Sequence, residues 1–305
     1  MQTRAAFLSI ISNFTLVVMK LVVGIITGSL SVISEAFHSA VDLLASFIAW
    51  LSIRESIKPP DEKHPYGHGK LENISGAIEA GLIFAAAVGI IYTSVGKFWH
   101  GVILESIDLG IAVMAVSMTA NFFISRYLMR AAKKYDSMAL EADSLHLKTD
   151  VYTSLGVLVG LVLVKVTGIN LLDPIFAVGV ALFIIKAAYD ITRRSFMELI
   201  DERLPDEEIK KIERVISGYE KYRFMLGCHD LRSRKSGSHR HIDLHLVVCH
   251  NRTIKEIHDL CDRLEGDICN ELPNSTVIIH PEPCGLDEKG CPPDCKVLVE
   301  GRNNL

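Results

Sequence analysis

Long apolar blocks separated by short polar loops fill the chain up to about Arg194. Each of six blocks is near the ~20 residues that an α-helix needs to cross the hydrocarbon core of a membrane. The blocks cover residues 5–27, 31–53, 72–96, 109–129, 140–166 and 173–192. This pattern predicts a multi-pass α-helical membrane protein with six transmembrane helices.

The pattern changes after about Asp201, where polar and apolar residues mix over short distances. Pro205, followed by acidic residues, favours a helix start. Ile242, Leu244 and Leu246 alternate with polar residues, as in a half-buried strand. Helices ending near residue 217 and covering 254–272, with strands over 224–233, 239–249 and 276–280, give the order α-β-β-α-β. We therefore expect a membrane domain over 1–200, a small α+β domain over 201–285, and a cysteine-containing tail over 286–305.

Basic residues gather in alternate loops and so predict the orientation of the helices. They are dense between the second and third blocks and between the fourth and fifth, whereas the opposite side carries few, Lys97 and Lys165 among them. Because loops rich in lysine and arginine stay in the cytoplasm, both termini are predicted to be cytoplasmic and the protein to lie in the plasma membrane. The first block has no small-residue cleavage site, so we interpret it as a membrane helix rather than a signal peptide.

Composition agrees with this division and excludes some classes of function. Hydrophobic residues make up 49% of the chain and charged residues 22%, with a mean hydropathy of +0.29. A net charge of −4 and the lack of a basic, aromatic-interleaved run argue against nucleic-acid binding. The seven cysteines all follow residue 227, and their odd number in a cytoplasmic domain argues against a disulfide framework.

Two His-x-x-x-Asp pairs, His38/Asp42 and His146/Asp150, lie inside apolar blocks. A spacing of four residues places both side chains of a pair on one helix face. Ionisable groups in a membrane usually face the bundle interior and serve ions or protons. Two imidazoles and two carboxylates complete a tetrahedral zinc site, and protons compete with metal for the same atoms, as an antiporter requires. The alternative is that each pair is a local hydrogen bond that stabilises helix packing.

The loop between the second and third blocks offers a second set of ligands, Asp61, His64 and His68. Pro65 and Gly67 indicate a turn, so the spacing need not follow a helix. The alternative is a solvated loop with free histidines.

The C-terminal domain holds a third candidate site. Its ligands would be His229, His245, His258, His280 and Glu282. Histidines on several strands and one helix can converge on a metal, although ordinary surface histidines are the alternative. Cys284, Cys291 and Cys295 could bind zinc or a soft cation, or be incidental thiols of the chain end.

Among the other polar residues inside the apolar blocks, four have side chains for which we expect specific partners. We expect Glu79 and Lys20 to form buried or interfacial ion pairs. We expect Asn13 and Asn121 to form hydrogen bonds between helices.

Taken together, these motifs resemble the cation diffusion facilitator family of metal/proton antiporters, and most closely its bacterial zinc and ferrous-iron efflux branch. The resemblance runs from the first block to about Cys284. It implies six transmembrane helices, cytoplasmic termini, a metallochaperone-like α-β-β-α-β domain and a homodimer. It also implies that the membrane pairs form the transport site, that the loop and domain residues form further metal sites, and that Lys70 and Asp201 form a charge interlock at the dimer interface.

Two residues depart from relatives of this family. Some members have Asp where His38 stands, and the histidine implies a shift toward zinc and away from cadmium. Glu282 stands where a relative has Asp, which keeps the carboxylate but moves its oxygens.

The resulting hypothesis is proton-coupled export of Zn²⁺ from the cytoplasm by alternating access. Fe²⁺, Cd²⁺ and Mn²⁺ are alternative substrates, and a membrane metal sensor without flux is an alternative function. An intramembrane metalloenzyme is disfavoured, because the sequence has no HExxH motif and four ligands leave no open position for an activated water.

Overall fold

The structure is a computed structural model that describes residues 2–27, 30–100, 108–167, 172–219, 221–222, 224–250 and 252–284. The chain divides into two compact units, Met1–Leu199 and Ile200–Leu305. The predicted tail over 286–305, with Cys291 and Cys295, lies outside the described residues.

Six long helices occupy the predicted positions in the first unit. They are α1 (Gln2–Thr27), α2 (Leu30–Ser56), α3 (Lys70–His100), α4 (Asp108–Tyr135), α5 (Met138–Thr167) and α6 (Leu172–Leu199). The shortest has 26 residues, which at ~1.5 Å per residue gives about 39 Å, more than the ~30 Å hydrocarbon core. Within the described residues, three segments are apolar and long enough to span a membrane: Gln2–Ile26, Ala36–Ser56 and Lys70–Gly96.

Small residues bring these helices close together. Ala5 and Ala6 of α1 share a buried cluster with Ala139 of α5. A β-carbon on Gly76 of α3 would stand 2.9 Å from side-chain atoms of both Met138 and Ser195, so α3, α5 and α6 meet at this glycine. Lipid offers helices no hydrophobic drive to associate, so close packing through small residues is the expected way to hold such a bundle.

The second unit has the predicted α-β-β-α-β order. Its elements are α7 (Asp206–Ser217), β1 (Met225–Ser236), β2 (His239–Val248), α8 (Ile254–Glu271) and β3 (Ser275–Pro283). The strands form one sheet in the order β1-β2-β3, with β1 antiparallel and β3 parallel to β2. Strand β3 runs three residues beyond the predicted end, so Glu282 lies within the sheet and not in a loop after it.

The two faces of this sheet have different roles. Ile242, Leu244 and Leu246 are fully buried and share one core with Leu260 and Leu264 of α8, which confirms the predicted alternation along β2. Since successive side chains of a strand point to opposite faces, the polar residues between them lie on the face away from the core.

Candidate metal centre

The two His-x-x-x-Asp pairs meet between α2 and α5, and they pair across the two helices. His146 Nε2 of α5 lies 2.9 Å from Asp42 Oδ1 of α2. His38 Nε2 of α2 lies 4.0 Å from Asp150 Oδ1 of α5. The His–Asp contacts are therefore between helices, and the alternative of a local pair within each helix does not describe them.

Three of the four side chains already lie close enough to share a metal ion. His38, Asp42 and Asp150 each offer a ligand atom, and these atoms lie within 4.8 Å of one another. A tetrahedral zinc with bonds of ~2.0–2.2 Å needs ligand atoms about 3.4 Å apart, so a small inward movement is sufficient. His146 adjoins this group through Asp42 and would exchange its hydrogen bond for a metal bond.

The centre is closed on one side and open on the other. The side chains of Asp42 and His146 are each 6% exposed, while that of Asp150 is 19% and that of His38 is 50% exposed. Asn121 Nδ2 of α4 donates to the second oxygen of Asp150 at 3.3 Å, and such a partner orients a ligand carboxylate. Asp42 and His146 are therefore the enclosed members of this group, and His38 is its most exposed member.

The asparagines form the expected hydrogen bonds between helices. Asn121 contacts Asp150 as described, and Asn13 Nδ2 of α1 donates to Ser46 Oγ of α2 at 2.8 Å. Lys20 Nζ donates to Ser39 Oγ, also between α1 and α2, at 2.8 Å. The prediction for both asparagines is confirmed.

The ion pair predicted for Glu79 is wrong. Glu79 is fully buried, and Ser75 Oγ donates to its Oε1 at a long 3.5 Å. Asp143, a charge of the same sign on α5, is the charged group that acts on it among the described residues. Sequence reasoning missed Asp143, although its position three residues before His146 puts it near the same helix face.

The loop ligands Asp61, His64 and His68 come together as the sequence suggested. Asp61 Oδ1 accepts from the His64 backbone N–H at 2.7 Å and lies 3.1 Å from His64 Nδ1, while Asp61 Oδ2 lies 3.4 Å from His68 Nε2. Gly67, at φ +82°, makes the turn that folds His68 back toward His64. The backbone hydrogen bond from His64 lowers the pKa of Asp61, which keeps the carboxylate charged as a ligand must be.

The histidines of the second unit form a row that strand register creates. His229 of β1 pairs with His245 of β2, and His245 pairs with His280 of β3. The ring centroids are 5.2 Å apart for the first pair and 4.9 Å apart for the second. Three strands thus bring three imidazoles side by side on the face opposite the hydrophobic core.

Glu282 completes this row because it lies two residues after His280 on the same face of β3. Its Oε1 is 2.8 Å from His245 Nδ1, and its Oε2 is 3.0 Å from His229 Nε2. The hydrogen bond with His245 is the largest influence that lowers the pKa of Glu282, followed by the one with His229. The Glu282 carboxylate therefore stays ionised at pH values below the ordinary pKa of a glutamate. The row thus keeps an anionic ligand at mildly acidic pH.

His258 is placed differently from the other domain ligands. It lies on α8, and its Nδ1 is 3.4 Å from Asp262 Oδ1 of the same helix. Asp230 takes a place that the sequence did not suggest: His229, Asp230 and His245 offer ligand atoms within 4.8 Å of one another. Asp230 adopts a φ of +52° at an irregularity in the register of β1, a detail that periodicity does not predict.

Removing the outer histidines of the row should remove its metal. We expect the double substitution His229→Ala/His280→Ala to weaken zinc binding at this site by at least about tenfold, since even indirect changes around metal ligands cost that much. Zinc retained per chain after dialysis of the full-length protein measures the effect. His239→Ala is the matched control, because His239 stands on the same strand β2 but bonds Thr276 Oγ1 at 2.9 Å. A double variant that keeps the full zinc complement would refute this site.

Comparison with known proteins gives matches along nearly the whole chain. Residues 6–200 match the cation efflux transmembrane domain, and residues 204–284 match the cytoplasmic domain of cation efflux proteins. An uncharacterized transporter of Synechocystis is 35% identical over 278 residues, which are 91% of this chain and 89% of that protein. The cation-efflux pump FieF of Cronobacter sakazakii is 30% identical over 284 residues, 93% of each chain.

Among solved structures, CzrB in its Zn form is 33% identical and covers 29% of this chain and 99% of its own, with a TM-score of 0.26. The two domain matches and the full-length relatives agree with the six-helix bundle and the α-β-β-α-β unit. The chain therefore belongs to the cation efflux family, also called the cation diffusion facilitators, and is an integral membrane transporter that exports metal cations.

Proposed function

We propose that this transporter exports Zn²⁺ from the cytoplasm in exchange for protons, with His38, Asp42, His146 and Asp150 as the transport site. The observation that carries the proposal is the cross-helix pairing: His146 meets Asp42 at 2.9 Å, and His38 faces Asp150 at 4.0 Å. This pairing supports a single tetrahedral site shared by α2 and α5. Since each helix supplies half of the ligands, a change in the packing of α2 against α5 changes the site's affinity, as alternating access requires.

The donor atoms favour zinc over other cations, and they favour its release over tight storage. Two imidazole nitrogens and two carboxylate oxygens match the ligands and number that zinc takes in tetrahedral sites. The set contains no thiolate, the donor that would favour softer cations and hold zinc for storage. Fe²⁺, Cd²⁺ and Mn²⁺ are the competing substrates, and among these the nitrogen donors disfavour Mn²⁺ most.

The contact between His146 and Asp42 supports proton coupling. The 2.9 Å contact of His146 Nε2 with Asp42 Oδ1 requires one hydrogen between the two atoms. A metal ion that binds both atoms displaces that hydrogen, and a proton leaves the site when the pair holds one more hydrogen than a neutral imidazole and a carboxylate carry. Protons that return to this state displace the metal. Metal and proton thus occupy the site in turn, which is the condition for antiport.

The loop and domain residues are proposed as two cytoplasmic metal sites. Asp61, His64 and His68 would form the first, and the row of His229, His245, His280 and Glu282 the second. His258 lies on α8 beside Asp262 and not in this row, so its place in the second site stays a prediction. Metal held there would regulate transport only by binding one arrangement of the protein more tightly than another. The ligand atoms of Asp61, His64 and His68 lie within 4.8 Å of one another, and Glu282 contacts both His245 and His229, which supports this role.

A homodimer in the plasma membrane with both termini in the cytoplasm is part of the proposal. The charge distribution of the loops supports the orientation. The proposed interlock of Lys70 and Asp201 joins residues of different units, so it stays a prediction. Within their own units, Lys70 Nζ donates to the Leu199 carbonyl at 3.1 Å, and Arg234 donates to Asp201 at 3.4 Å.

Reconstitution in liposomes tests the proposal directly. With zinc added outside and a pH dye inside, we expect zinc entry to be accompanied by lumenal alkalinisation in proteoliposomes, because each transported ion exchanges for protons. Parallel runs with Fe²⁺, Cd²⁺ and Mn²⁺ rank the substrates. Zinc entry at constant lumenal pH, with the membrane potential clamped, would refute antiport, and tight zinc binding without entry would instead indicate a metal sensor.

A further inference from the structure

Two carboxyl groups of the bundle are buried outside the proposed ligand set. Glu79 of α3 and Asp143 of α5 are both fully buried. Glu79 Oε2 and Asp143 Oδ2 each lack a hydrogen-bond partner, whereas the other oxygens accept from Ser75 Oγ at 3.5 Å and from Ser46 Oγ at 2.9 Å. An isolated ionised carboxylate in an apolar interior is too costly to persist without a partner. A neighbouring carboxylate disfavours the ionised form of the other, so we expect this pair to hold a proton.

The surroundings make Glu79 the member that holds this proton. Ala80 and Ala142, which adjoin the two acids, lie in one buried cluster with Met138 and Ile191, so α3, α5 and α6 pack here. Within the part of the chain that the structure describes, the charged side chain that acts on Glu79 is Asp143 of α5. Asp143 has a full hydrogen bond from Ser46 at 2.9 Å, which favours its ionised form, while Glu79 has only the long contact with Ser75.

The pair is also connected to the transport site through charge. Asp143 lies within electrostatic reach of both His146 and Asp42, and it precedes His146 by three residues, about one helical turn. A bound divalent cation is the largest local charge in such a site, and it favours the ionised form of nearby acids. When metal neutralises the anionic surroundings of Asp143, the repulsion that keeps a proton on Glu79 is reduced.

We infer that Glu79 is a proton-binding site separate from the metal ligands, and that metal at the transport site drives this proton into solution. The step is the ionisation of a carboxylic acid: the Glu79 O–H bond breaks, its electron pair stays on the carboxylate, and H⁺ leaves. The inference rests on the proposed function, because the metal that drives the step is the one bound by His38, Asp42, His146 and Asp150. Its consequence is that the protons exchanged per metal exceed those that the ligands alone release.

The substitution Glu79→Gln separates a working proton site from a permanently neutral acid. Glutamine has the shape of the protonated acid but cannot release a proton. Glu72→Gln is the matched control, since Glu72 is buried on the same helix while both of its oxygens have partners, Ser56 at 2.8 Å and Ser137. Ser75→Ala is a second probe, which removes the one hydroxyl contact of Glu79 and leaves its acid in place.

The measurement is proton release on zinc binding to full-length protein in detergent, followed with a pH dye in weak buffer. We expect Glu79→Gln to release one proton fewer per zinc bound at the transport site, and Glu72→Gln to match the wild type. Because both variants keep the loop and domain sites, the contribution of those sites cancels in the comparison. Equal release by wild type and Glu79→Gln overturns the inference.

Infrared difference spectra supply a test that needs no folded variant at position 79. Zinc added to the wild type should remove a carboxylic-acid C=O band, and the band should shift in Ser75→Ala. A wild-type spectrum with no loss of acid signal overturns the inference. These readouts follow binding and not transport, so liposomes without zinc-coupled pH change would refute the proposed function while leaving the Glu79 result to stand or fall separately.

Discussion

Zinc flux is expected to fall about 100-fold or more when Asp42 is replaced by alanine. Changes that only disturb the partners of metal ligands cost ten- to hundredfold, and Asp42 is itself a proposed ligand. It also holds His146 at 2.9 Å. Asp42→Ala therefore removes one ligand and the hydrogen bond that positions a second, both in the most buried part of the site.

The measurement is initial zinc uptake by proteoliposomes with equal amounts of folded protein, verified by size-exclusion profile. Asp190→Ala is the control, since it removes an exposed carboxylate from α6 and should leave flux near the wild-type value. Asp150→Ala should behave like Asp42→Ala. Retained flux in either ligand variant would show that the cation crosses elsewhere.

His38→Asp is expected to raise the ratio of cadmium to zinc flux by about tenfold, a differential of about 1.4 kcal/mol between the two ions. A carboxylate can bind through both oxygens, as it does for large cations with many ligands, and cadmium is larger than zinc. Position 38 tolerates the change because its side chain is 50% exposed and makes the loosest contact of the site, 4.0 Å to Asp150.

Competition between the two metals in one liposome assay gives the ratio directly. His38→Ala is the control, because it removes the imidazole without adding a carboxylate and should lower both fluxes. If His38→Asp and His38→Ala show the same ratio, the residue at position 38 does not select the metal through its donor atoms.

The sequence predicted the helices and the helix faces well, because both follow from local periodicity. A spacing of four residues places His38 and Asp42 on one face whatever the rest of the chain does. The crossed pairing of His146 with Asp42 depends on how α2 packs against α5, and no local pattern contains that information. For the same reason the neighbours of Glu79 could not be predicted: its position in an apolar block was evident, but the like charge of Asp143 opposite it was not.

The second unit shows the same limit in a sheet. The alternation of Ile242 and Leu244 predicted which face of β2 carries His245, because side chains alternate along any strand. The side-by-side placement of His229 and His280 depends on the register of two further strands, which turns and long-range contacts set. His258 lies on helix α8. The sequence identified it as a possible ligand but did not predict which way its side chain points relative to the sheet.

The histidine row has a mechanical consequence for the sheet that carries it. A metal ion bound there would cross-link β1, β2 and β3 through side chains, in addition to their backbone hydrogen bonds. His229 and His280 are separated by a long stretch of chain that includes α8, so the cross-link would close a large loop and oppose its opening. Zinc bound at this site would then restrain the two edge strands reversibly. The rigidity of this unit would rise with the zinc concentration in the cytoplasm.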